Sequence, residues 1–210
     1  MVHEIPKFTI VPVMQLWVRK ISGMENIPKN DAFIVAANHS SYMDHMIIST
    51  TLIPYLDKKI HYLAKKEHFD NFIERKWHNY VGCISIDRES GGKKALKHAV
   101  NALKEGKIIA IYPEGTRTLT GKLQKAKTGV ARLALLSKAP VLPIGLIGTF
   151  EILPKGRHLP KLKRAVMNIG KPMHFDKYYG KPITKRLLRE ITTKIMIEIA
   201  RLSSQKYNFK

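Results

Sequence analysis

The apolar positions of the chain follow two different periods. Short β-branched and aliphatic runs appear as FIVAAN (33 to 38), KIHYLA (59 to 64), CISI (83 to 86), KIIAIY (107 to 112), VLPIGLI (141 to 147) and AVMNIG (165 to 170). Each has the length and composition of a buried strand. Between them the spacing becomes helical. Residues 45 to 56 predict a helix that Pro54 should end, because proline has no amide to donate and crowds the preceding turn. Residues 90 to 105 bring Leu96, Val100 and Leu103 to one face ahead of Gly106. Residues 184 to 204 carry Leu187, Leu188, Ile191, Ile195, Ile199 and Leu202 as one stripe, with Thr184 as the N-cap. Strands alternating with helices predict one α/β domain, a central mixed and mostly parallel sheet flanked by helices. No repeat or linker divides it, so we take residues 23–210 as the domain and 1–22 as an apolar N-terminal segment.

That segment changes the picture only slightly. It lacks a basic n-region and a small-residue cleavage site, and Pro6 and Pro12 interrupt it, so it does not read as a signal peptide. No uncharged apolar run of about 18 residues occurs, and no spanning helix is expected. Ile10, Val11, Val13, Met14, Leu16, Trp17 and Val18, followed by Arg19 and Lys20, suit a strand or helix packed on the core as well as a stretch lying in a bilayer interface.

Charge changes it more. The 210 residues hold 37 Lys and Arg against 16 Asp and Glu, a net +21, on a chain with 44% hydrophobic residues. A folded body with so positive a surface attracts nucleic acid, an anionic bilayer or phosphorylated substrates. The lone cysteine, Cys83, excludes an intrachain disulfide and a thiolate zinc site, fits a reducing compartment, and reads as a small buried filler.

The densest polar cluster, Asn38-His39-Ser40-Ser41-Tyr42-Met43-Asp44, follows the strand FIVAA, where α/β sheets present ligands. In a regular helix His39 and Asp44 would stand roughly 140° apart and could not pair. With His39 in the turn and Asp44 in the first turn of the next helix, the carboxylate folds back onto Nδ1 and leaves Nε2 as a general base. The same two residues alone are compatible with helix capping. A metal site through His39, Asp44 and His45 lacks any HExxH-type pattern, and Ser40 or Ser41 as a nucleophile lacks a GxSxG elbow.

A second cluster, Tyr112-Pro113-Glu114-Gly115-Thr116-Arg117-Thr118, also follows a strand. Gly115 permits a close approach, Thr116 and Thr118 offer hydroxyls, and Arg117 offers a fork for phosphate. Glu114 and Arg117 are equally compatible with an internal ion pair shaping a turn. A third run, Gly82-Cys83-Ile84-Ser85-Ile86-Asp87-Arg88, ends a short strand in an acid and a base.

In this order, NHSSYMD, GCISIDR, PEGTRT and VLPIG resemble the four sequence blocks of the glycerolipid acyltransferase family, whose best-known branch comprises the lysophosphatidate acyltransferases. The resemblance runs from about Gly23-Met24-Glu25-Asn26-Ile27-Pro28 to Gly170-Lys171-Pro172. It implies catalysis by His39 and Asp44, and acceptor binding by Arg88, Glu114, Gly115, Thr116 and Arg117; Asn38 and Lys65 join the substrate-binding set, Lys66 competing with Lys65 for that place. Pro143 falls in the fourth block. Thr118 stands where the family usually has Ser, and Ala126-Lys127-Thr128-Gly129 lacks the aromatic of the Phe-Lys-x-Gly segment.

The resemblance implies acyl transfer to a lysophospholipid acceptor, giving phosphatidic acid. No metal or bound cofactor is implied; acyl-CoA or acyl carrier protein enters as the donor substrate. Other lysophospholipids, glycerol 3-phosphate or an amine-bearing lipid remain alternative acceptors. The expected setting is peripheral, at the cytoplasmic face of a membrane with an anionic surface. The stretch from Lys155 to Arg164 is the candidate basic patch for that surface, or else a solvated loop. A nucleic-acid-binding protein is the remote rival, supported by charge alone, and no nucleic-acid partner is expected.

Overall fold

The computed structural model describes residues 11–29, 31–65, 83–86 and 93–209. They form a seven-stranded sheet: β1 (Val18–Ser22), β2 (Ile34–Ala37), β3 (Ile60–Lys65), β4 (Ile84–Ile86), β5 (Ile108–Ile111), β6 (Val141–Ile147) and β7 (Ala165–Ile169). The spatial order is β1-β7-β6-β2-β5-β3-β4. Every neighbouring pair is parallel except β6 with β7. This is the mixed, mostly parallel α/β sheet that the alternating pattern predicts.

The helices with both ends among the described residues are α1 (Met43–Leu56), α2 (Lys93–Lys104), α3 (Gly129–Ser137), the one-turn α4 (Thr149–Ile152) and α5 (Lys185–Leu202). Successive strand residues point to opposite faces, and both faces are covered. Ile34, Ala36, Ile109 and Val141 pack with Ala99 and Leu103 of α2, Val130 and Leu133 of α3, and Ile191, Ile195 and Ile199 of α5. Phe33, Val35, Ala37, Ile108, Ala110, Leu142 and Ile144 pack with Met43, Ile47, Ile48 and Leu52 of α1, and with Met14. Among the described residues no helix is long and apolar enough to cross a membrane.

Three local outcomes add to or correct the sequence reading. Helix α1 runs through Pro54 to Leu56 instead of stopping before it. Pro54 falls in the last turn, where one ladder bond is lost, and the helix ends when Asp57 turns left-handed (φ 51°) and donates its N–H to Ile53. Helix α5 starts as expected: the Thr184 side chain accepts the Leu187 N–H. The last five residues of the 1–22 segment form β1, paired with β7, so that stretch is part of the sheet.

Candidate active site

The site grows from the carboxyl ends of adjacent parallel strands, where the chain must leave the sheet and its polar groups need new partners. After β2, the buried side chain of Asn38 extends the ladder toward β6. Its Nδ2 donates to the Leu146 carbonyl at 3.0 Å and its Oδ1 accepts the Leu146 N–H at 2.8 Å. Ser40 Oγ meets Thr149 Oγ1 at 2.8 Å, Ser41 Oγ donates to the Leu153 carbonyl at 2.7 Å, and the Tyr42 N–H donates to the same carbonyl at 3.1 Å. Thus β6, α4 and the chain just after α4 hold one flank of the turn.

Asp44, fully buried in the first turn of α1, organises the turn from within. Its Oδ2 accepts the Ser40 N–H at 2.7 Å, the Ser41 N–H at 2.8 Å and lies 2.9 Å from His39 Nδ1. A carboxylate in that place selects the tautomer with the proton on Nδ1, leaving Nε2 as the lone-pair nitrogen. No hydrogen bond engages Nε2 among the described residues, and the His39 side chain remains 18% exposed. The imidazole lies flat on the Tyr112 ring, centroids 3.9 Å apart and planes 10° from parallel. Such a stack contributes about 0.5–1.5 kcal/mol and fixes the ring plane. Burial, then the neighbouring Tyr62 and Asp44, push the Tyr112 hydroxyl well above its usual ionisation range, so it serves as a neutral wall.

The loop after β5 closes the other flank. The His39 N–H donates to Glu114 Oε1 at 2.7 Å, the Gln124 N–H donates to Glu114 Oε2 at 2.7 Å, and the Thr118 N–H donates to the His39 carbonyl at 2.9 Å. Both Glu114 oxygens therefore brace backbone amides; no Glu114–Arg117 ion pair forms among the described residues. Burial outweighs these bonds and, with Asp44 nearby, pushes the Glu114 carboxyl up to about 7. Gly115 is left-handed (φ +75°), and a Cβ there would come within 3.1 Å of the Lys127 side chain. Thr116 is exposed. Half-exposed Arg117 lays its guanidinium over the Tyr42 ring, Cζ 3.5 Å from the centroid. That contact contributes about 0.5–1 kcal/mol at a site open to water.

The sequence-predicted residues thus converge unevenly. Asn38, His39, Asp44, Glu114, Gly115, Thr116 and Arg117 meet at one end of the sheet, and Lys65 ends neighbouring β3, in register with Ile86. The Lys65 side chain and all of Arg88 lie outside the described residues. Cys83 is half-buried, and burial pushes its thiol up to about 11, as suits a filler. Sequence reasoning gave no role to Tyr112 or Tyr42 and did not single out Thr149. Strand parity was the available signal for Tyr112: Ile108 and Ala110 belong to the α1 face, and Tyr112 is the next residue of that parity.

A family model described as "Acyltransferase" matches residues 18–147. A Bacillus subtilis protein named 1-acyl-sn-glycerol-3-phosphate acyltransferase is 32% identical over 168 residues, spanning 80% of this chain and 80% of its own length. A Streptococcus pneumoniae protein of the same name is 27% identical over 86% of this chain and 64% of its own length. The crystal structure of a Thermotoga maritima protein titled 1-acyl-sn-glycerophosphate (LPA) acyltransferase, PlsC, shares the fold with a TM-score of 0.69 at 24% identity, over 96% of this chain and 83% of that one.

Proposed function

The chain belongs to the acyltransferase family and is an enzyme of it, and we propose that it moves a fatty acyl group from a thioester to the free hydroxyl of 1-acylglycerol 3-phosphate, forming phosphatidic acid. The observation that carries this reading is the His39–Asp44 pair, 2.9 Å between Nδ1 and Oδ2, beside an arginine aimed by an aromatic ring. His39 Nε2 takes the acceptor's hydroxyl proton as the oxygen attacks the thioester carbonyl. The buried Asp44 carboxylate supports the imidazolium that forms. Collapse of the tetrahedral intermediate breaks the carbon–sulfur bond, and the imidazolium returns its proton to the departing thiolate. Arg117 receives the acceptor phosphate; Lys65 and Arg88 are proposed to share that task. Binding energy at the phosphate aligns the hydroxyl with the donor. The donor is acyl-CoA or acyl carrier protein.

We place the enzyme peripherally at the cytoplasmic face of a membrane. Its net +21 charge favours an anionic surface, and its acceptor resides there. The direct test offers the purified chain a labelled acyl thioester, on CoA or on carrier protein, with 1-acylglycerol 3-phosphate, glycerol 3-phosphate and a neutral-headgroup lysophospholipid. Labelled phosphatidic acid is expected, with little transfer to the neutral-headgroup acceptor. Preference for an acceptor without a phosphomonoester would overturn the assignment of Arg117.

A further inference from the structure

Away from the site, the segment between α4 and β7 has an unusual surface. Residues 155–164 are exposed without exception. They include five Lys or Arg (Lys155, Arg157, Lys161, Lys163 and Arg164), one His and no acid. Leu159 and Leu162, three residues apart within it, are 77% and 91% exposed. A single leucine in water needs no explanation, but two that stand out of a purely cationic loop combine the features of an interfacial anchor.

The loop is also shaped. The Arg157 N–H donates to the Pro154 carbonyl at 3.2 Å, the Lys163 N–H to the Lys161 carbonyl at 2.8 Å and the Lys161 N–H to the Ile152 carbonyl at 2.9 Å. Trp17 Nε1 donates to the Lys161 carbonyl at 3.0 Å. That bond ties the loop to the N-terminal segment, where Val13 and Leu16 are 53% and 59% exposed. Two solvent-facing stretches far apart in sequence, each with two protruding apolar side chains, therefore meet at Lys161.

We infer that the 155–164 loop is the element by which the protein enters an anionic bilayer, Leu159 and Leu162 passing into the acyl boundary while the flanking cations rest on lipid phosphates. A bilayer accepts protruding side chains without a shaped pocket, whereas a nucleic acid gives the leucines no role and an acidic protein would have to supply a pocket for each. The root of the loop doubles as a wall of the site. Leu153 accepts from Ser41 and Tyr42, and Ser41 bridges Pro154. Docking here sets the His39 turn beside the lipid surface. That benefit rests on the proposed lipid acceptor; the docking does not.

The test compares the full chain with its Leu159→Ser/Leu162→Ser variant, whose far-UV spectrum and melting temperature should match because both side chains are already in water. On vesicles containing phosphatidylglycerol, the variant's partition coefficient should fall about tenfold or more. Turnover of long-chain lysophosphatidate in those vesicles should fall with it, while turnover of a dispersed short-chain acceptor stays unchanged. Equal vesicle binding by both proteins would overturn the inference. So would normal vesicle binding with a loss confined to carrier-protein donor, which would make the loop a protein-docking surface. Should neither protein acylate any lysophosphatidate while the variant still loses vesicle binding, the proposed acceptor fails and the loop assignment stands.

Discussion

The turn after β2 and the loop after β5 leave neighbouring strands of one sheet, yet the first is bound on every side and the second mainly at its root. His39 has its ring fixed by Asp44 and Tyr112, its N–H by Glu114 and its carbonyl by Thr118. In the second loop Glu114 and Thr118 are buried, while Thr116 and Leu119 are exposed and half-exposed Arg117 rests on the Tyr42 ring. Proton transfer tolerates little error, since the reacting atoms must approach to about 3 Å. A guanidinium gripping a mobile headgroup gains from latitude. Rigidity is thus concentrated where the proposed chemistry is demanding.

The contrast is broken most severely by His39→Ala. Turnover should fall by about 10²–10⁴-fold, whereas the unfolding free energy should change by no more than about 2 kcal/mol, Asp44 keeping its two backbone partners. Steady-state rates and a denaturant titration on one preparation check both; near-normal turnover would remove the base assignment.

Glu114→Gln probes the brace between the loops. The Glu114 pKa of about 7 lies above the ordinary 4.5, so the folded protein holds that proton more tightly. Its contribution to stability is complete below pH 4.5 and is lost as pH rises through 7. The variant does not titrate there, so its stability relative to wild type should improve between pH 5 and 7, by up to about 1.4 kcal/mol per pH unit. A gap that stays constant across that window would contradict the buried-carboxyl account.

Tyr42→Leu should give the smallest effect and the sharpest distinction. Freed from the ring, Arg117 loses about 0.5–1 kcal/mol of alignment, so KM for the phosphorylated acceptor should rise about two- to fivefold with kcat nearly unchanged. A fall in kcat comparable to that of His39→Ala would mean that the two loops are equally demanding, and the contrast would dissolve.

Much of this was written in local pattern. The runs at 33–38 and 141–147 are β-branched and flanked by turn residues, and they became the central strands β2 and β6. The five-residue spacing of His39 and Asp44 excluded pairing within one helix and left the fold-back open beside helix capping; the structure shows the fold-back. Other parts were illegible for physical reasons. Strand β1, Val-Arg-Lys-Ile-Ser, is an edge strand with exposed Arg19 and Lys20, so it carries no buried run. Helix α3 buries Val130, Ala131, Leu133, Ala134 and Leu135 and shows no polar stripe to mark its period. The Asn38 side chain and one Glu114 oxygen pair with backbone groups 108 and 75 residues away, which no local pattern encodes.

Those long reaches bear on how the enzyme comes into being. Asn38, Ser40 and Ser41 take their partners at sequence separations of 108, 109 and 112. Contacts so distant form late, after nearer ones have closed the intervening loops. On a ribosome, the imidazole would therefore have emerged long before the scaffold that aims it, and the nascent chain would stay catalytically silent until about residue 154 had left the exit tunnel and docked.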